Sequence, residues 1–521
     1  MRPGNPLPSS DVPAPPPHGD EAPVEYLVGM RDDVHVRFEA TTVSLSTPVN
    51  TFAVRLPEGG IRDALALLAG GLVPVDEALG TLGRAERTQF QGLLGRVGRL
   101  LVWGVLVGGR EFVRIEHTAH DAEPKAAAVL PDSLVRLSGF ALVRSRNGTL
   151  VLESPLAKVR VLLVHPVARE TVTSLAAGRR VDDLAASLGE GVTVQEVRAL
   201  LGILAGAGFV EVGSPGEDFE EDQDPTLRQW DFHDLLFHSR SRSGRFDEPL
   251  GGAFPHRGRI DPRPAVKPLP DGPSVELYRP VLRDITRHDP GLTAVLEGRR
   301  SFRSYGEQPL TAEQLGEFLY RVGRVRTHFV PAPDDEPGGE IVSRPYPTGG
   351  SAFELELYLT VQRCAGLDQG IYYYDPVGHR LILVNGDPGD RRAMLEVASA
   401  STSREADPDI LITMTSRFQR LSWKYSGMAY ATTLRHTGVL YQTMYLVATA
   451  MGMAPCGLGI GNADMSARVL GLDYLQESSV GDFILGSRPP GDPGIWDREQ
   501  GWKWVNDPEW AAWAGSVLRR A

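Results

Sequence analysis

The proline-rich run PRPAVKPLPDGP, at residues 262–273, divides the sequence into two parts with different patterns. Proline fixes φ and donates no backbone hydrogen bond, so such a run forms a surface linker rather than a helix or a central strand. Short hairpins and short helical segments precede it, and longer strands that alternate with helices follow it. The length of 521 residues predicts about three domains of ~150 residues each.

The part before the linker shows an internal repeat. Alternating β-branched residues at 34–57 precede three helical patterns, and FALVRSRNGTLVLES (140–154) precedes three more and the strand FVEVG. The dipeptide Asn147-Gly148 predicts the turn of a hairpin. Hairpin, three short helices and a strand is the order of a winged helix. We predict two winged-helix-like domains, at residues 25–130 and 131–215.

The charge pattern argues against nucleic-acid binding. The formal net charge is -12, and TVQEVRALLGILAGAGF, the last helix of the second repeat, offers one arginine and one glutamate. A basic face for phosphates is missing from this pattern. We therefore expect the winged helices to bind protein or peptide. The acidic segment GEDFEEDQDP (216–225) is predicted to be a solvated hinge within a connector at 216–274.

Cysteine usage and the N-terminus predict a soluble cytoplasmic protein. Cys364 and Cys456 form neither a CxxC pair nor a metal spacing, and His233 and His238 make a poor zinc site, so no metal is predicted. Residues 1–24 are rich in proline and lack an apolar signal-peptide core, which predicts a disordered tail. No stretch approaches the ~20 apolar residues of a membrane span.

The part after the linker predicts an α+β domain at residues 275–490, followed by a C-terminal extension at 491–521. FELELYLTV, GIYYYD, DILITMTS and VGDFILGSR are predicted strands, and YATTLRHTGVLYQTMYLVATAMG is a predicted long helix. Thr311 is the expected N-cap of a further helix, with Gln314 completing a capping box. Alternating strands and helices favour a catalytic α+β or α/β architecture.

A cluster of arginines opens this domain in the motif RRSFRSY (299–305). Guanidinium groups match phosphate geometry, and a hydroxyl adds a donor, so Arg299, Arg300, Ser301 and Arg303 suit a monophosphate. The alternative is a solvated basic stretch.

Two glycine stretches accompany the arginines. TGGSAF (348–353) enters a strand, and CGLGIGNAD (456–464) follows the long helix. Consecutive glycines allow a planar ligand to approach the backbone closely. The second stretch is GxGxG rather than GxGxxG, and we expect it neither to follow a strand nor to open a helix, which argues against a dinucleotide fold. A monophosphate site with two glycine loops favours FMN over NAD or ATP.

Several motifs together resemble a known family. RRSFRSYGEQPLTAEQLGEFLYRVGRVR, RPYPTGGSAFELELYL and YQTMYLVATAMGMAPCGLGIGNAD closely resemble the nitroreductase-like flavoproteins, and more narrowly the SagB-type dehydrogenases, which include thiazole/oxazole-forming azoline oxidases. LVLESPLAKVRVLL and WDFHDLLFHSRSRSGR resemble the N-terminal part of the same proteins. The resemblance spans residues 26–490. It implies a central, mostly antiparallel sheet flanked by helices, and FMN at a homodimer interface, with both subunits contributing to each site.

The resemblance also implies roles for individual residues. The phosphate and ribityl contacts are matched by Arg299, Arg300, Ser301 and Arg303. The loop along one flavin edge is matched by Pro347, Thr348, Gly349, Gly350 and Ser351. The loop facing flavin N5 and O4 is matched by Gly457, Leu458, Gly459 and Gly461, and a late phosphate contact by Gly486 and Arg488.

The motif SWKYSGMAY contains a Lys-Tyr pair like that implicated in catalysis by the azoline oxidases. Making an azole from an azoline removes a hydride and a proton, and Lys424 or Tyr425 could accept the proton. An ammonium beside a phenol favours the phenolate, whereas a desolvated lysine loses its proton. The alternative is an exposed lysine beside a packed tyrosine. Tyr430 and His436 could line the same cavity, although core packing is the expected role of each.

The leading hypothesis is an FMN-dependent dehydrogenase that oxidises thiazolines or oxazolines in a peptide precursor, with O2 reoxidising the flavin. Its expected partners are the precursor peptide, a cyclodehydratase and a second copy of the chain. The alternatives are an NAD(P)H-dependent nitroreductase and a non-catalytic flavin-binding docking subunit. The peptide substrate and the oxidised bond stay open.

Overall fold

The computed structural model describes residues 22–80, 82–119, 122, 126–216, 218–246, 250–331, 339–404, 406–489 and 507–518. These residues belong to two compact units, unit 1 (residues 1–255) and unit 2 (residues 256–521). Most of the predicted tail, residues 1–21, and residues 491–506 and 519–521 of the predicted C-terminal extension lie outside the described residues.

Unit 1 contains two stretches with the same order of elements. The first comprises β1 (Val24–Met30), β2 (His35–Phe38), β3 (Thr42–Ser46), β4 (Thr51–Arg55), α1 (Gly60–Gly70), β5 (Val73–Pro74), α2 (Val75–Gly80), α3 (Arg84–Val97), β6 (Leu101–Val107) and then β7 (Arg110–His117). The second comprises β8 (Leu134–Leu137), β9 (Leu142–Arg146), β10 (Thr149–Glu153), β11 (Val159–Leu163), α4 (Pro166–Ser174), β12 (Arg179–Arg180), α5 (Val181–Ser187), α6 (Val194–Gly206) and β13 (Val210–Gly213). The repeat extends to strand pairing, since β5-β1-β6 matches β12-β8-β13.

Two local features shape the second stretch, and the sequence analysis predicted the first of them, the turn at Asn147-Gly148. Asn147 and Gly148 have φ values of 49° and 79°, the left-handed conformation that a tight hairpin turn between β9 and β10 requires. Thr193 caps α6 by accepting from the Glu196 backbone N–H, and the Glu196 carboxylate accepts from the Thr193 N–H in return. The winged-helix assignment itself stays a prediction.

One sheet runs through both stretches, in the order β5-β1-β6-β7-β11-β10-β9. It is continuous because β7 pairs with β11, with Ile115 opposite Val161. The segments predicted as separate domains at 25–130 and 131–215 therefore share one compact unit.

The acidic segment is largely exposed, as expected, and two of its residues contact β8. It contains α7 (Glu220–Gln223), and α8 (Phe232–Arg240) follows it. The Arg136 guanidinium lies 4.2 Å from the centre of the buried Phe219 ring and pairs with Asp222 at 2.7 Å. Cation–π and ionic contacts with β8 thus hold this segment in place.

Unit 2 is built around an antiparallel sheet flanked by helices, as predicted. Its elements are β14 (Ser274–Glu276), α9 (Leu282–His288), α10 (Leu292–Gly298), α11 (Ala312–Gly323), β15 (Thr327–Phe329), β16 (Ile341–Ser343), β17 (Leu355–Val361), β18 (Gly370–Asp375), β19 (Arg380–Asn385), α12 (Pro388–Ser401), β20 (Ile410–Arg417), α13 (Gln419–Ser422), α14 (Ala429–Ala450), β21 (Met453–Leu458), α15 (Ala463–Val469), β22 (Glu477–Ser487) and α16 (Pro508–Leu518). The strand order is β14-β19-β18-β17-β20-β22-β21.

Alternate residues of the central strands face two different cores. Leu357 and Leu359 of β17 pack with α11 and α14 on one side, whereas Tyr358 packs with α12 on the other. Because both faces are covered, β17, β18 and β20 are buried along their whole length. The helix α14 therefore lies along one face of the sheet, between the loops that carry the predicted site residues.

Candidate functional site

The loop Pro347–Ser351 has an unusual backbone. Gly350 and Ser351 both have positive φ, 59° and 53°. The Thr348 hydroxyl accepts a hydrogen bond from the Phe353 N–H at 3.2 Å, which closes the loop just before β17. Left-handed conformations cost energy at a residue with a side chain, so neighbouring contacts must hold Ser351 in this shape.

The predicted catalytic pair lies directly against this loop. A side chain at Gly350 would clash with the Lys424 ammonium and would lie 2.6 Å from the Tyr425 hydroxyl. The Lys424 Nζ donates to the Gly350 carbonyl at 3.3 Å. The structure therefore brings Lys424 and Tyr425 together with the predicted flavin-edge loop, on the segment between α13 and α14.

The environment distinguishes the two candidate bases. Burial, and then the charge of Arg420, lowers the pKa of Lys424. Burial, and then the Glu354 carboxylate, raises the pKa of Tyr425. One alternative from the sequence was that the Lys424 ammonium favours a Tyr425 phenolate. The pKa of Tyr425 is instead raised, because burial disfavours the ionised phenol. Both shifts favour the uncharged form of the side chain, the amine of Lys424 and the phenol of Tyr425.

His436 holds the first loop by a hydrogen bond, whereas we expected it only to pack in the core. Its Nε2 accepts from the Gly349 N–H at 2.7 Å, and its Nδ1 lies 2.7 Å from a Glu354 carboxylate oxygen. This pattern requires a proton on Nδ1 and none on Nε2. Glu354 is fully buried. Tyr430, by contrast, is half exposed, so core packing is the wrong role for it.

The arginine cluster meets the second glycine loop through Tyr445. The Arg299 guanidinium lies 5.2 Å from the centre of the Tyr445 ring, and the Ser301 hydroxyl is 2.7 Å from the Tyr445 hydroxyl. That hydroxyl also accepts from the Gly457 N–H at 2.7 Å. The positive charge of Arg303 acts on the thiol of Cys456, the residue directly before Gly457. The predicted phosphate contacts thus lie beside the predicted flavin loop.

Two of the predicted arginines occupy a different position. Arg300 and Arg488 both contact the ring of Phe302, at 4.2 Å and 5.5 Å from its centre. A side chain at Gly486 would clash with the ring of Tyr305. Gly486 therefore makes room for a buried aromatic side chain, and the structure gives it no part in a phosphate contact.

The second glycine loop does lie between a strand and a helix, contrary to our expectation. It begins at Leu458, the end of β21, and Asn462 caps α15 by accepting from the Met465 N–H. Because the sheet is antiparallel here, this still differs from a dinucleotide-binding βαβ unit. Gly461 is required for packing, since a side chain there would clash with the buried Asp482 carboxylate. The sequence analysis did not single out Asp482.

The two groups of site residues contact opposite faces of α14. His436 touches the first loop and Tyr445 the second. Nine helical residues turn the helix by about 900°, which is half a turn beyond two full turns, and advance it by about 13.5 Å. One subunit thus presents the arginine group and the Lys424 group on different sides of the same helix.

These residues fit FMN chemically. Ser301 and Arg303 are exposed and Arg299 is half-buried, so the group offers cationic donors to a phosphate. Gly350, Gly459 and Gly461 are exposed, and open space surrounds the position of a side chain at Gly459. Both loops can therefore accept the edge of a planar ring.

A further cluster of titratable groups lies in unit 1. Asp231, His233 and Asp234 offer atoms within 4.8 Å of one another, and all three are exposed. His238 instead stacks on Trp230, with ring centres 5.9 Å apart. The cluster does not gather the two histidines that the sequence analysis considered.

Comparison with protein families gives two matches. Residues 135–247 match the cyanobactin oxidase ThcOx family, and residues 296–487 match the nitroreductase family. The chain is therefore similar to cyanobactin oxidases over part of unit 1 and to nitroreductases over most of unit 2. The nitroreductase match covers the arginine cluster, both glycine loops and the Lys-Tyr pair.

Two curated relatives match parts of the chain. A protein of Methanocaldococcus jannaschii that carries the name of a nitroreductase is 26% identical over 190 residues, which is 36% of this chain and 85% of the relative. The trifolitoxin-processing protein TfxB of Rhizobium leguminosarum is 25% identical over 160 residues, 30% of this chain and 38% of the relative. The chain therefore spans well under half of TfxB.

Solved structures are similar over about half of the chain. A nitroreductase-family structure from Anabaena variabilis has 17% identity and a TM-score of 0.34, and covers 54% of this chain and 53% of its own. The E. coli microcin synthetase McbBCD, solved with truncated pro-MccB17 bound, has 18% identity and a TM-score of 0.32, and covers 52% and 98%. In the described part of the chain, no helix has the length and apolar character needed to cross a membrane.

Proposed function

We propose that the chain is an FMN-dependent dehydrogenase that oxidises thiazoline or oxazoline rings of a ribosomal peptide precursor to azoles. The observation that carries the proposal is the placement of the Lys424 ammonium and the Tyr425 hydroxyl against Gly350 of the predicted flavin loop. Relatives named for a cyanobactin oxidase and for trifolitoxin processing support this substrate class.

The cofactor would be held by two sets of residues. Arg299, Ser301 and Arg303 would bind the phosphate, and the exposed backbone of the two glycine loops would border the ring. Bound FMN supplies a two-electron acceptor for the hydride removed from the azoline, and O2 accepts the electrons afterwards. Arg300 and Arg488 would act indirectly, through their contacts with the ring of Phe302.

Lys424 would take the proton that leaves the adjacent ring carbon. Its lowered pKa increases the fraction of neutral amine at neutral pH. Tyr425 keeps its proton, so its hydroxyl can donate a hydrogen bond to the azoline and orient the ring. His436 and Glu354 hold the loop beneath this pair.

The proposed partners are a second copy of the chain and components of the peptide pathway. Each complete site would draw the arginine group from one copy and the Lys424 group from another, because the two groups lie on opposite faces of α14. Unit 1 would bind the precursor peptide or a cyclodehydratase. The proposed compartment is the cytoplasm, where Cys364 and Cys456 remain thiols.

Mass spectrometry of a thiazoline-containing peptide tests the proposal. Aerobic incubation with FMN-loaded protein should remove about 2 Da per ring, the mass of the two hydrogens lost on oxidation to an azole. Lys424→Ala should lower this rate by about 10² to 10⁴-fold, the range for a general base, while FMN absorbance is retained. Rapid NADPH oxidation with nitroaromatics and no azole product would favour the nitroreductase alternative. Full product formation by Lys424→Ala would favour a docking role for this chain.

A further inference from the structure

Arg420 is buried under the candidate site and binds three separate backbone segments. It is 8% exposed. Its Nε and one terminal nitrogen donate to the Ala352 carbonyl at 3.1 and 2.9 Å. Its terminal nitrogens also donate to the Arg263 carbonyl at 2.7 Å and the Glu340 carbonyl at 3.1 Å. A planar fork with five donors suits several acceptors at once, which an ammonium cannot reproduce.

These contacts tie Arg420 to the shape of the loop. Ala352 directly follows Ser351, whose left-handed backbone needs support. Arg420 also lies four residues before Lys424, within α13, the short helix that precedes the Lys-Tyr pair. The same guanidinium therefore fixes both the end of the loop and the segment that carries the amine.

The charge of Arg420 acts on Lys424 as well. After burial, Arg420 is the further cause that lowers the pKa of the Lys424 amine. Burial, and then the charge of Arg417, lowers the pKa of Arg420 itself to about 10, and the carboxylates of Glu340, Glu354 and Glu356 oppose this. Tyr425 and His436 are the titratable groups beside the loop. The Glu354 carboxylate raises the pKa of Tyr425, and it is engaged by His436 at 2.7 Å. A buried cation with no carboxylate among its hydrogen bonds disfavours a second cation beside it.

We propose that Arg420 is the positioning residue of the site: its fork holds the 348–352 loop under Lys424, and its buried positive charge acts against a second positive charge on the Lys424 side chain. The inference rests on the proposed function only for the use of that amine as a base. Arg420 makes two contributions to the site, the hydrogen bonds of its fork and its positive charge. Different substitutions remove each of them.

Chemical labelling of Lys424 tests the charge contribution without any substrate. Only the neutral amine reacts with an acetylating reagent, so the labelling rate against pH reports its protonation. We expect Arg420→Gln, which removes the charge, to lower the Lys424 labelling rate at pH 8 by about three- to tenfold. Arg420→Lys should keep the wild-type pH profile. Mass spectrometry of the Lys424 peptide from full-length protein measures both.

Arg417→Gln is the matched control. Arg417 is also buried, at 7% exposed, and donates to the Ala265 and Pro264 carbonyls and, unlike Arg420, to a buried carboxylate, that of Glu356, at 3.4 Å. It does not contribute to the lowered pKa of Lys424. Its loss should leave the labelling profile unchanged. An Arg420→Gln profile that overlays the wild type, or an equal shift in Arg417→Gln, overturns the inference.

The geometric contribution has its own readout. Arg420→Lys keeps the charge and loses the fork, so azoline turnover should fall about tenfold at an unchanged labelling midpoint. If Arg420→Gln does not fold, Arg420→Lys still decides, because a labelling midpoint displaced to that of a free lysine peptide contradicts us. A shifted Arg420→Gln profile in a protein that oxidises no azoline contradicts the proposed function alone. An unshifted profile in a protein that oxidises azolines contradicts this inference alone.

Discussion

Asp482 shows how burial sets the protonation of a single residue near the candidate site. Its side chain is 7% exposed, and burial raises its pKa to about 6, opposed by a hydrogen bond from the Thr413 hydroxyl at 2.7 Å. An acid whose folded pKa is raised stabilises the fold below its unfolded pKa, near 3.8, and this contribution is lost as pH rises through 6.

Asp482→Asn should therefore change the pH dependence of stability. Between pH 4 and pH 8, the free energy of unfolding of the variant should gain roughly 2–3 kcal/mol relative to wild type, because asparagine carries no charge to bury. Urea unfolding at both pH values measures this. Asp464→Asn, at an exposed carboxylate, should show no such gain. Parallel pH profiles for Asp482→Asn and wild type would contradict the assignment.

Gly350 is the residue at which loop shape and chemistry meet. Gly350→Ala should cost about 1–2 kcal/mol of stability through its left-handed φ, and should lower azoline turnover about 10²-fold by displacing the Lys424 amine. Gly471→Ala is the matched control, with φ of 68° and open space around the new methyl group. It should lose similar stability and keep its turnover. Equal azoline turnover by Gly350→Ala and Gly471→Ala would contradict this prediction.

At the residue scale, the sequence identified the motifs that carry the chemistry but not the residues that hold those motifs in place. Lys424, Tyr425 and Gly350 stood out by motif, and the structure places them together. Arg420 lacks such a signal, because its partners are backbone carbonyls at residues 263, 340 and 352, and carbonyl direction is invisible in a sequence.

At the element scale, the joint between β7 and β11 holds unit 1 together through buried charges. Arg160 of β11 is 1% exposed, and its Nε donates to the Glu116 carboxylate of β7 at 2.6 Å. Arg146 of β9 donates to the same carboxylate at 2.9 Å. Without Glu116, the buried Arg160 would keep the more distant Glu153 carboxylate, at 3.9 Å, which compensates its charge less well.

Glu116→Gln should accordingly lower the free energy of unfolding of unit 1 by about 3 kcal/mol. Glu39→Gln, in an exposed pair with Arg37, should change it by less than about 1 kcal/mol. Thermal or urea melts of the full chain decide between them. If both variants melt alike, the buried pair does not stabilise the joint.

Elements with strong local signals could be predicted, and elements defined by distant partners could not. The capping box at Thr311 opens α11 as expected, with the Gln314 N–H donating to Thr311 at 3.1 Å. The strand β21 was missed because MAPCGL contains proline and glycine and does not alternate. It is tolerated at the sheet edge, where it pairs with β22 alone.

At the scale of the whole molecule, the opposite placement of the two half-sites on α14 predicts that activity needs two copies. A Lys424→Ala chain and an Arg299→Ala/Arg303→Ala chain should each be inactive. Refolded together in equal amounts, they should recover about a quarter of wild-type turnover, since half of the dimers are mixed and each mixed dimer has one intact site. Titrating one inactive variant into the other measures this. No recovery in a mixture shown to contain mixed dimers would place both half-sites in one chain.

The whole-molecule prediction from sequence was correct for unit 2 and incomplete for unit 1. The α+β fold with its antiparallel sheet follows from strong strand and helix patterns in residues 275–490. The continuous sheet of unit 1 depends on β7 pairing with β11, two strands that are separated in the sequence by β8, β9 and β10. Such long-range pairing leaves no periodic signal, so the two repeats were predicted as separate domains.

Anaerobic mixing of FMN-loaded protein with a thiazoline peptide tests the central claim most directly. The flavin absorbance near 450 nm should bleach by about one equivalent per ring oxidised, and admission of O2 should restore it. In Lys424→Ala the absorbance should persist although FMN remains bound. Wild-type protein that holds FMN and keeps its colour with a range of thiazoline and oxazoline peptides would contradict the account.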